Sequence, residues 1–208
     1  MYDEGHALCL EMSDWFVTPG SGIYDLGSST GLLTAMLAER HRTNAVTGLD
    51  SEPSMVERAA SEHQAANLTF VAGDAPHAEL RGASYVVAHH LTPFLTAEDR
   101  AALLSNVFTA LIPGGALMLF EKTQPEDPAQ TSIAHSTLHS YKLAQGVRPS
   151  EVLAKEKALR GVMRLQTVAQ TAAGLRAAGF GSVTSVLRWL NWEGTLAVKG
   201  IESNEGIQ

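Results

Sequence analysis

The stretch 25–31, with the sequence DLGSSTG, constrains the fold of this chain more than any other. An apolar segment precedes it and a helix-like run, 32–40, follows it, so the sequence predicts a strand, a glycine turn and a helix. Glycine lets a turn approach a ligand closely because it has no Cβ, and the helix behind the turn directs free N–H groups towards that ligand. We therefore predict that Gly27, Ser28 and Gly31 form a binding loop.

An acidic residue ends the next predicted strand, at Asp50. It lies about 20 residues beyond the loop, where a carboxylate can accept hydrogen bonds from the ribose hydroxyls of a nucleoside. The sequence therefore predicts a cofactor that contains adenosine.

The spacing of the loop narrows the choice of cofactor. Gly27-x-x-x-Gly31 differs from the Gly-x-Gly-x-x-Gly of nicotinamide sites, and no Gly-Lys-Ser/Thr follows as in a phosphate-binding loop. The carboxylate of Asp25 would repel a pyrophosphate but suits an ammonium group. These features favour S-adenosylmethionine (SAM), an adenosine that carries a cationic amino acid.

Composition excludes some classes of function. The 208 residues carry a net charge of −7 and their basic residues do not cluster, which argues against a nucleic-acid partner, because such partners bind at basic patches. Cys9 is the single cysteine, so no internal disulfide forms and a cytoplasmic location is expected. The apolar stretches are too short for a membrane span, and the acidic start is unlike a signal peptide.

Strands alternate with helices through most of the chain, which predicts a parallel sheet that is covered by helices on both faces. A short turn joins the last two strands, so we expect an antiparallel pair there. The predicted strands are 23–27, 46–50, 68–72, 84–88, 116–120, 183–190 and 195–199. The predicted helices are 3–18, 30–41, 51–66 with Ser51 as a possible N-cap, 96–112 with Thr96 as N-cap, 130–145, 150–165 and 166–178.

Four polar residues end neighbouring strands and should share one edge of the sheet, because ligands of parallel sheets bind at the strand carboxyl ends. Besides Asp25 and Asp50 they are Asp74, which with Ala75 is expected at the adenine edge, and His89, which is expected to touch cofactor or substrate. His90 should point to the opposite face by strand alternation.

We expect one domain over residues 1–200. Within it, residues 1–20 are expected to form a lid helix, and 122–165 a helical insertion on the substrate side. The tail 201–208 is polar and is expected to be disordered.

The segments 24–31, 73–74 and 111–117, together with Asp50, resemble the motifs of class I SAM-dependent methyltransferases. Within that class the chain is most similar to the carboxy-S-adenosylmethionine synthase family, over about residues 2–199. The resemblance implies an α/β, Rossmann-like sheet of seven mostly parallel strands with a C-terminal antiparallel strand, SAM as cofactor, and a homodimer. It adds Tyr2, Ser51 and Met55 to the predicted cofactor site.

Two positions depart from that family. Its arginine that holds the added carboxylate aligns with Glu156, and a carboxylate does not bind another carboxylate unless one is protonated. His89 stands where the family has asparagine. We predict His89 or Tyr141 as a general base and Glu156 as a partner for a cationic substrate, with Lys142 as a further candidate.

No spacing of histidines and carboxylates predicts a metal site, since His135 and His139 are not part of an HExxH pattern.

Three functions remain open from the sequence. The first is methylation of a small molecule by SAM. The second is an enzyme that transforms SAM itself, either into carboxy-SAM or by an intramolecular displacement that releases methylthioadenosine. The third is a SAM-binding subunit without catalysis, which the intact loop and acidic residues disfavour.

Overall fold

The computed structural model describes residues 2–201, except for the side chain of Tyr2. The described residues form seven strands and seven α-helices. The strands are β1 Gly22–Leu26, β2 Ala45–Asp50, β3 Leu68–Ala72, β4 Ala83–His89, β5 Leu111–Lys122, β6 Ser182–Trp189 and β7 Trp192–Val198. The helices are α1 Tyr2–Phe16, α2 Leu32–Arg40, α3 Pro53–Glu62, α4 Ala97–Ala110, α5 Pro128–Ala144, α6 Pro149–Leu159 and α7 Val168–Ala177.

The strands form one sheet in the order β3-β2-β1-β4-β5-β7-β6. The first five strands are parallel, and β7 runs antiparallel to both β5 and β6. This architecture confirms the predicted seven-stranded, mostly parallel sheet with a C-terminal antiparallel strand. The order reverses between β1 and β4, which is where sheets of this kind bind ligands.

Strand β4 is buried along almost its whole length, as expected for a central strand that is covered on both faces. Its residues alternate between two apolar cores. Tyr85 packs in the core beneath α1 and α2, whereas Val86 packs with Leu104 of α4 and Leu175 of α7.

Helix α1 is fastened to the sheet and to α2 by polar contacts in its second half. The Tyr85 hydroxyl donates to the Cys9 carbonyl at 2.8 Å. Ser13 Oγ and His41 Nε2 lie 2.6 Å apart, and Arg40 Nε donates to Asp14 at 2.7 Å. The first half of α1 extends over the carboxyl ends of β4 and β5.

Helix α3 differs from its prediction at both ends. Its N-cap is Glu52, not Ser51, because Asp50 Oδ1 already accepts the Glu52 N–H at 3.0 Å. It ends at Glu62, before the predicted residue 66, because His63 is extended. The following loop is held by Asn67, whose amide donates to backbone carbonyls at the end of α2.

Several other boundaries also shift. Strand β5 begins before the predicted residue 116, and α6 ends before the predicted residue 165. Thr96 caps α4 as predicted, since its side chain accepts the Asp99 N–H at 3.1 Å. The predicted tail lies outside the described residues from 202 onwards, and Ile201 is exposed. No helix within residues 2–201 is long and apolar enough to span a bilayer.

Candidate cofactor and substrate site

The carboxyl ends of β1 and β4 border a cavity of about 330 Å³, which we call the cofactor cleft. The predicted loop lies on one side of it and the two histidines that end β4 lie on the other. Its polar lining consists of Asp25, Ser28, Ser29, Thr30, His89, His90 and, from α1, His6. The structure thus brings Asp25, Gly27, Ser28 and His89 together, as expected from the sequence.

The loop between β1 and α2 depends on Gly31. Its φ is 78°, and a Cβ there would lie 2.5 Å from Phe70 Cζ, so no other residue fits without movement of that ring. Ser29 also has a positive φ, 49°. Its N–H donates to Asp50 Oδ2 at 2.8 Å, so Asp50 holds the loop in a conformation that is costly for serine.

Asp25 is the buried carboxylate of the cleft, with 2% of its surface exposed. Thr34 Oγ1 donates to it at 2.7 Å. Burial raises its pKa from 3.8 to about 6, and the nearby Asp50 acts in the same direction, whereas the Thr34 hydrogen bond opposes the shift. A cation in the cleft would lower this pKa again, so the site favours a positively charged ligand group.

SAM fits the donors and acceptors of the cleft. Ser28 Oγ is buried and has no hydrogen-bond partner among the described residues, so a ligand group can satisfy it. Each oxygen of Asp50 accepts one backbone N–H and keeps a lone pair for a ribose hydroxyl. Together with the buried carboxylate of Asp25, these groups match an adenosine that carries an ammonium group.

The remaining predicted cofactor residues lie around the ends of β2 and β3. The Gly73 N–H donates to the Asp50 carbonyl at 2.9 Å, which places Asp74 and the buried Ala75 next to Asp50 along the sheet edge. Met55 is half-buried in α3, and Ser51 is exposed. The side chain of Tyr2 lies outside the described part of the chain, and its cofactor contact stays a prediction.

A cluster of aromatic rings, which we call the aromatic wall, closes the cleft on the β4–β5 side. His89 stacks on Phe120 with ring centroids 4.8 Å apart and an interplanar angle of 2°. His6 meets His89 edge-on at 4.7 Å. His90 meets Trp192 edge-on at 4.5 Å. Gly5 lets α1 lie directly on this wall, because a Cβ there would lie 2.7 Å from His89 Nε2.

The orientation predicted for His90 is wrong. Its φ is 64°, so the chain leaves the strand conformation at this residue and the alternation of side chains ends. The rings of His89 and His90 consequently lie 4.4 Å apart and line the same cavity.

Both strand-end histidines are neutral near physiological pH. Burial, with smaller effects of His90 and His6, lowers the pKa of His89 to about 2. Burial, with smaller effects that include Lys122 and Lys155, lowers the pKa of His90 to about 3. A neutral ring does not repel a sulfonium, and ring faces attract cations. So weakly basic an imidazole is a poor proton acceptor, and the base role of His89 stays a prediction.

A second cavity, of about 370 Å³, lies between the end of β5 and helices α5 and α6. We call it the lysine cavity, because cations dominate its charged lining: Lys122, Lys142, Lys155 and Arg160, with Glu156 and His139. The aromatic wall connects the two cavities, since Lys122 Nζ lies 5.6 Å from the centroid of the Trp192 ring, which touches His90.

The lysine cavity has more positive than negative side chains, because Glu156 is the one carboxylate among the described residues that line it. Glu156 is paired with His139, whose Nε2 lies 2.5 Å from Glu156 Oε1. Burial and the neighbouring Lys142 and Lys155 lower the pKa of Lys122. Burial and Lys155 likewise lower the pKa of Lys142. The cavity therefore favours an anion, and the Glu156 carboxylate is already engaged, which weighs against a cationic partner for it.

Tyr141 is not brought to either cavity. Its ring is exposed and meets Trp189 of β6 edge-on at 4.6 Å. Sequence reasoning also missed Lys122 and His139 as site residues. The Lys122 position directly after a predicted strand was a usable signal, but the convergence of α5, α6 and β5 has no local signature.

A buried polar cluster fixes the end of β5. Glu121 accepts from Thr92 and, at 2.6 Å, from Thr171 of α7. The Arg100 guanidinium lies 3.1 Å from the same carboxylate. Because Lys122 follows Glu121 directly, these contacts also hold the backbone of Lys122 in place at the lysine cavity. Among the described residues, no group of three histidine, cysteine or carboxylate side chains is placed to hold a metal ion.

Comparison with known proteins identifies the family and the fold. The methyltransferase domain family matches residues 23–115. Carboxy-S-adenosyl-L-methionine synthase of Staphylococcus epidermidis is 31% identical over 199 residues, which cover 95% of this chain and 87% of that protein. The synthase of the same name from Chromohalobacter salexigens is 34% identical over 186 residues, 86% of this chain and 69% of the relative.

Solved structures share the fold. The SAM-dependent methyltransferase SibL, in its apo form, superposes with a TM-score of 0.64 at 20% identity, over 95% of this chain and 55% of that one.

Proposed function

The chain belongs to the SAM-dependent methyltransferases, in the family that includes carboxy-S-adenosyl-L-methionine synthase, and we propose that it transfers the methyl group of SAM to a small anionic molecule. It is an enzyme of the SAM-dependent transferase type, with SAM as its cofactor. The acceptor and the carbon of SAM that is attacked are parts of the proposal.

The observation that carries the proposal is the lysine cavity. Four cationic side chains face one carboxylate that is already paired with His139. The half-buried Lys122 and Lys142 can give an anion charge-assisted hydrogen bonds, whereas the exposed Lys155 and Arg160 contribute about 0–1 kcal/mol each. Because Trp192 joins this cavity to the cofactor cleft, an anion bound there lies beside the cofactor.

SAM supplies an activated methyl group, since its sulfonium is a good leaving group. The protein must then align the acceptor and exclude water. Helix α1 covers the cleft with Gly5 and His6. The neutral histidines of the aromatic wall do not repel the positive charge of the sulfonium. We propose that residues 1–20 form this cover and that 122–165 form the substrate side.

The test combines a product assay with charge removal. Purified protein is incubated with SAM alone and, in separate tubes, with SAM plus prephenate, pyruvate or phenylpyruvate. The products are identified by mass spectrometry. We expect S-adenosylhomocysteine together with a methylated anion. Lys142→Met should raise the KM for that anion about tenfold, whereas Lys157→Met, in the last turn of α6 but outside the cavity lining, should not.

The second candidate is the formation of carboxy-SAM, favoured by the name of the relatives at 31% and 34% identity. The same assay distinguishes it, because carboxy-SAM would appear with prephenate and no methylated product would form. Methylthioadenosine from SAM alone would instead indicate intramolecular displacement.

We also propose a homodimer in the cytoplasm. The support is the family resemblance for the dimer and the single cysteine for a reducing compartment. Light scattering of the purified protein tests the first, and fractionation of the source cells tests the second.

A further inference from the structure

Lys122 occupies a special place among the cations of the lysine cavity. It is half-buried at the end of β5, whereas Lys155 and Arg160 are exposed on and beside α6. Its Nζ lies 5.6 Å from the centroid of Trp192, and Trp192 touches His90 of the cofactor cleft. Among the lysines that line the cavity, Lys122 is therefore the one with a described contact to a ring of the aromatic wall.

The surroundings of Lys122 lower the pKa of its amine. Burial removes water from the ammonium, and Lys142 and Lys155 repel it, while Glu156 is the one carboxylate that opposes them. A lysine that is desolvated or placed beside other cations is a nucleophile towards carbonyl carbon. The Trp192 ring, whose centroid lies 5.6 Å from Nζ, acts in the opposite direction, because ring faces attract cations.

An acid–base pair lies in the same cavity. A carboxylate accepts hydrogen bonds, so His139 Nε2 donates to Glu156 and carries a proton, which leaves Nδ1 for proton exchange with a substrate. His135 lies beside His139, with ring centroids 6.4 Å apart. His139 can therefore move protons for a substrate bound at Lys122, with its tautomer set by Glu156.

We propose that Lys122 is a catalytic residue that forms an imine with a 2-oxo acid in the lysine cavity. The substrate carboxylate binds Lys142, Lys155 and Arg160. The Lys122 Nζ attacks the C2 carbonyl, and protons delivered through His139 let the carbonyl oxygen leave as water. One C=N bond forms, one C=O bond breaks, and no electrons are exchanged with another molecule.

The imine explains what the enzyme would methylate, a step that rests on the proposed function. Loss of a C3 proton to His139 converts the imine into an enamine, whose C3 is a carbon nucleophile. C3 then forms a bond to the methyl carbon, the S–CH₃ electron pair stays on sulfur, and water returns the lysine. The products are a 3-methyl-2-oxo acid and S-adenosylhomocysteine, and the C3 proton goes to solvent.

The imine can be tested without SAM. The full chain is incubated with pyruvate or phenylpyruvate and sodium cyanoborohydride, and the reduced adduct is located by peptide mass spectrometry. We expect one adduct per chain, on Lys122. Lys122→Arg, checked for folding by circular dichroism, should lose it. Lys199→Arg should keep it, because Lys199 donates to the carbonyls of Phe108 and Leu111, outside the cavity.

The pH dependence of the adduct yield distinguishes a lysine whose pKa is lowered by its neighbours from a lysine that reacts only because it is accessible. Lys155→Met removes both a repelling charge and a carboxylate contact, so the assay uses a saturating concentration of the 2-oxo acid. The adduct yield should then fall several-fold at neutral pH and recover at higher pH, because only the loss of binding, and not the change in the Lys122 pKa, is compensated by saturation. No adduct, an adduct spread over surface lysines, or an adduct that survives Lys122→Arg would each overturn the inference. Formation of S-adenosylhomocysteine with a 2-oxo acid but without an adduct refutes the imine alone. An adduct without methyl transfer refutes the proposed function alone.

Discussion

His139 Nε2 lies 2.5 Å from Glu156 Oε1, and this contact joins α5 to α6 across the mouth of the lysine cavity. The pair replaces the anion-binding arginine that the family resemblance implies at position 156. It leaves the cavity cationic, because Lys122, Lys142, Lys155 and Arg160 still line it. Glu156 thus contacts a neighbouring histidine, and its role towards a cationic substrate stays a prediction.

Glu156→Gln tests this pairing. The amide oxygen can still accept from His139, but the negative charge that faces the His139 N–H is lost. We expect slower formation of the reduced phenylpyruvate adduct, by about tenfold, with little change in the phenylpyruvate concentration that gives half-maximal rate. Glu151→Gln, at the first turn of the same helix, is the control. An unchanged rate would mean that the pair is only structural.

Asp50→Ala should weaken SAM binding strongly. The substitution removes the acceptor for the Ser29 N–H and the predicted ribose acceptor, and each charge-assisted bond contributes about 1.5–3 kcal/mol. We expect a Kd for SAM that is at least about tenfold higher by titration calorimetry. Glu57→Ala, on the exposed face of α3, should leave it unchanged. Equal affinities for the two variants would refute the assigned cofactor site.

Asp25 should make the ligand-free protein less stable as the pH rises. Its pKa is 3.8 ordinarily and about 6 in the folded chain, so the folded state binds the proton more tightly. The resulting stability is fully present below about pH 3.8 and is lost as the pH rises through about 6. A shift of this size corresponds to at most about 3 kcal/mol.

Urea unfolding of the wild type and of Asp25→Asn between pH 4 and 7.5 measures this contribution. Other groups also titrate in this range, so the difference between the two proteins is the informative quantity. We expect the variant to gain stability relative to the wild type towards pH 7.5. A difference that is constant with pH contradicts the assignment.

Gly5→Ala should impair the cover of the cofactor cleft. A Cβ would lie 2.7 Å from His89 Nε2 and 3.2 Å from Phe120, so α1 must move off the aromatic wall. At an exposed helical site the same change stabilises by about 0.5–1 kcal/mol. We expect about tenfold weaker binding of S-adenosylhomocysteine, whereas Ala7→Gly, on the exposed side of α1, should lower only the Tm. Unchanged affinity in Gly5→Ala would show that α1 does not close on the ligand.

Arg100→Met should destabilise the fold severely. The guanidinium lies 3.1 Å from Glu121, whose side chain is 1% exposed, and its removal leaves a buried charge that costs roughly 3–5 kcal/mol. Chemical unfolding measures the loss. The double variant Arg100→Met with Glu121→Gln should recover part of it, and failure to do so would show that the packing of Arg100, not its charge, is what matters.

The sequence predicted the sheet well because its signals are local. The loop 25–31, the acid Asp50 and the apolar strands each indicate their own conformation, and together they place the cofactor cleft. The lysine cavity could not be predicted in this way. Lys122 and His139 line one cavity only after α5 and α6 fold over β5. His90 lines the cleft because its own backbone is left-handed, which the strand pattern does not predict.

The most direct test of the central claim follows the methyl group itself. SAM labelled with ¹³C in the methyl group is incubated with the protein alone, with prephenate, and with pyruvate or phenylpyruvate, and all products are identified by mass spectrometry. The account predicts S-adenosylhomocysteine only when an anion is present, with the label in that anion. Carboxy-SAM that retains the label, or labelled methylthioadenosine from SAM alone, would contradict it.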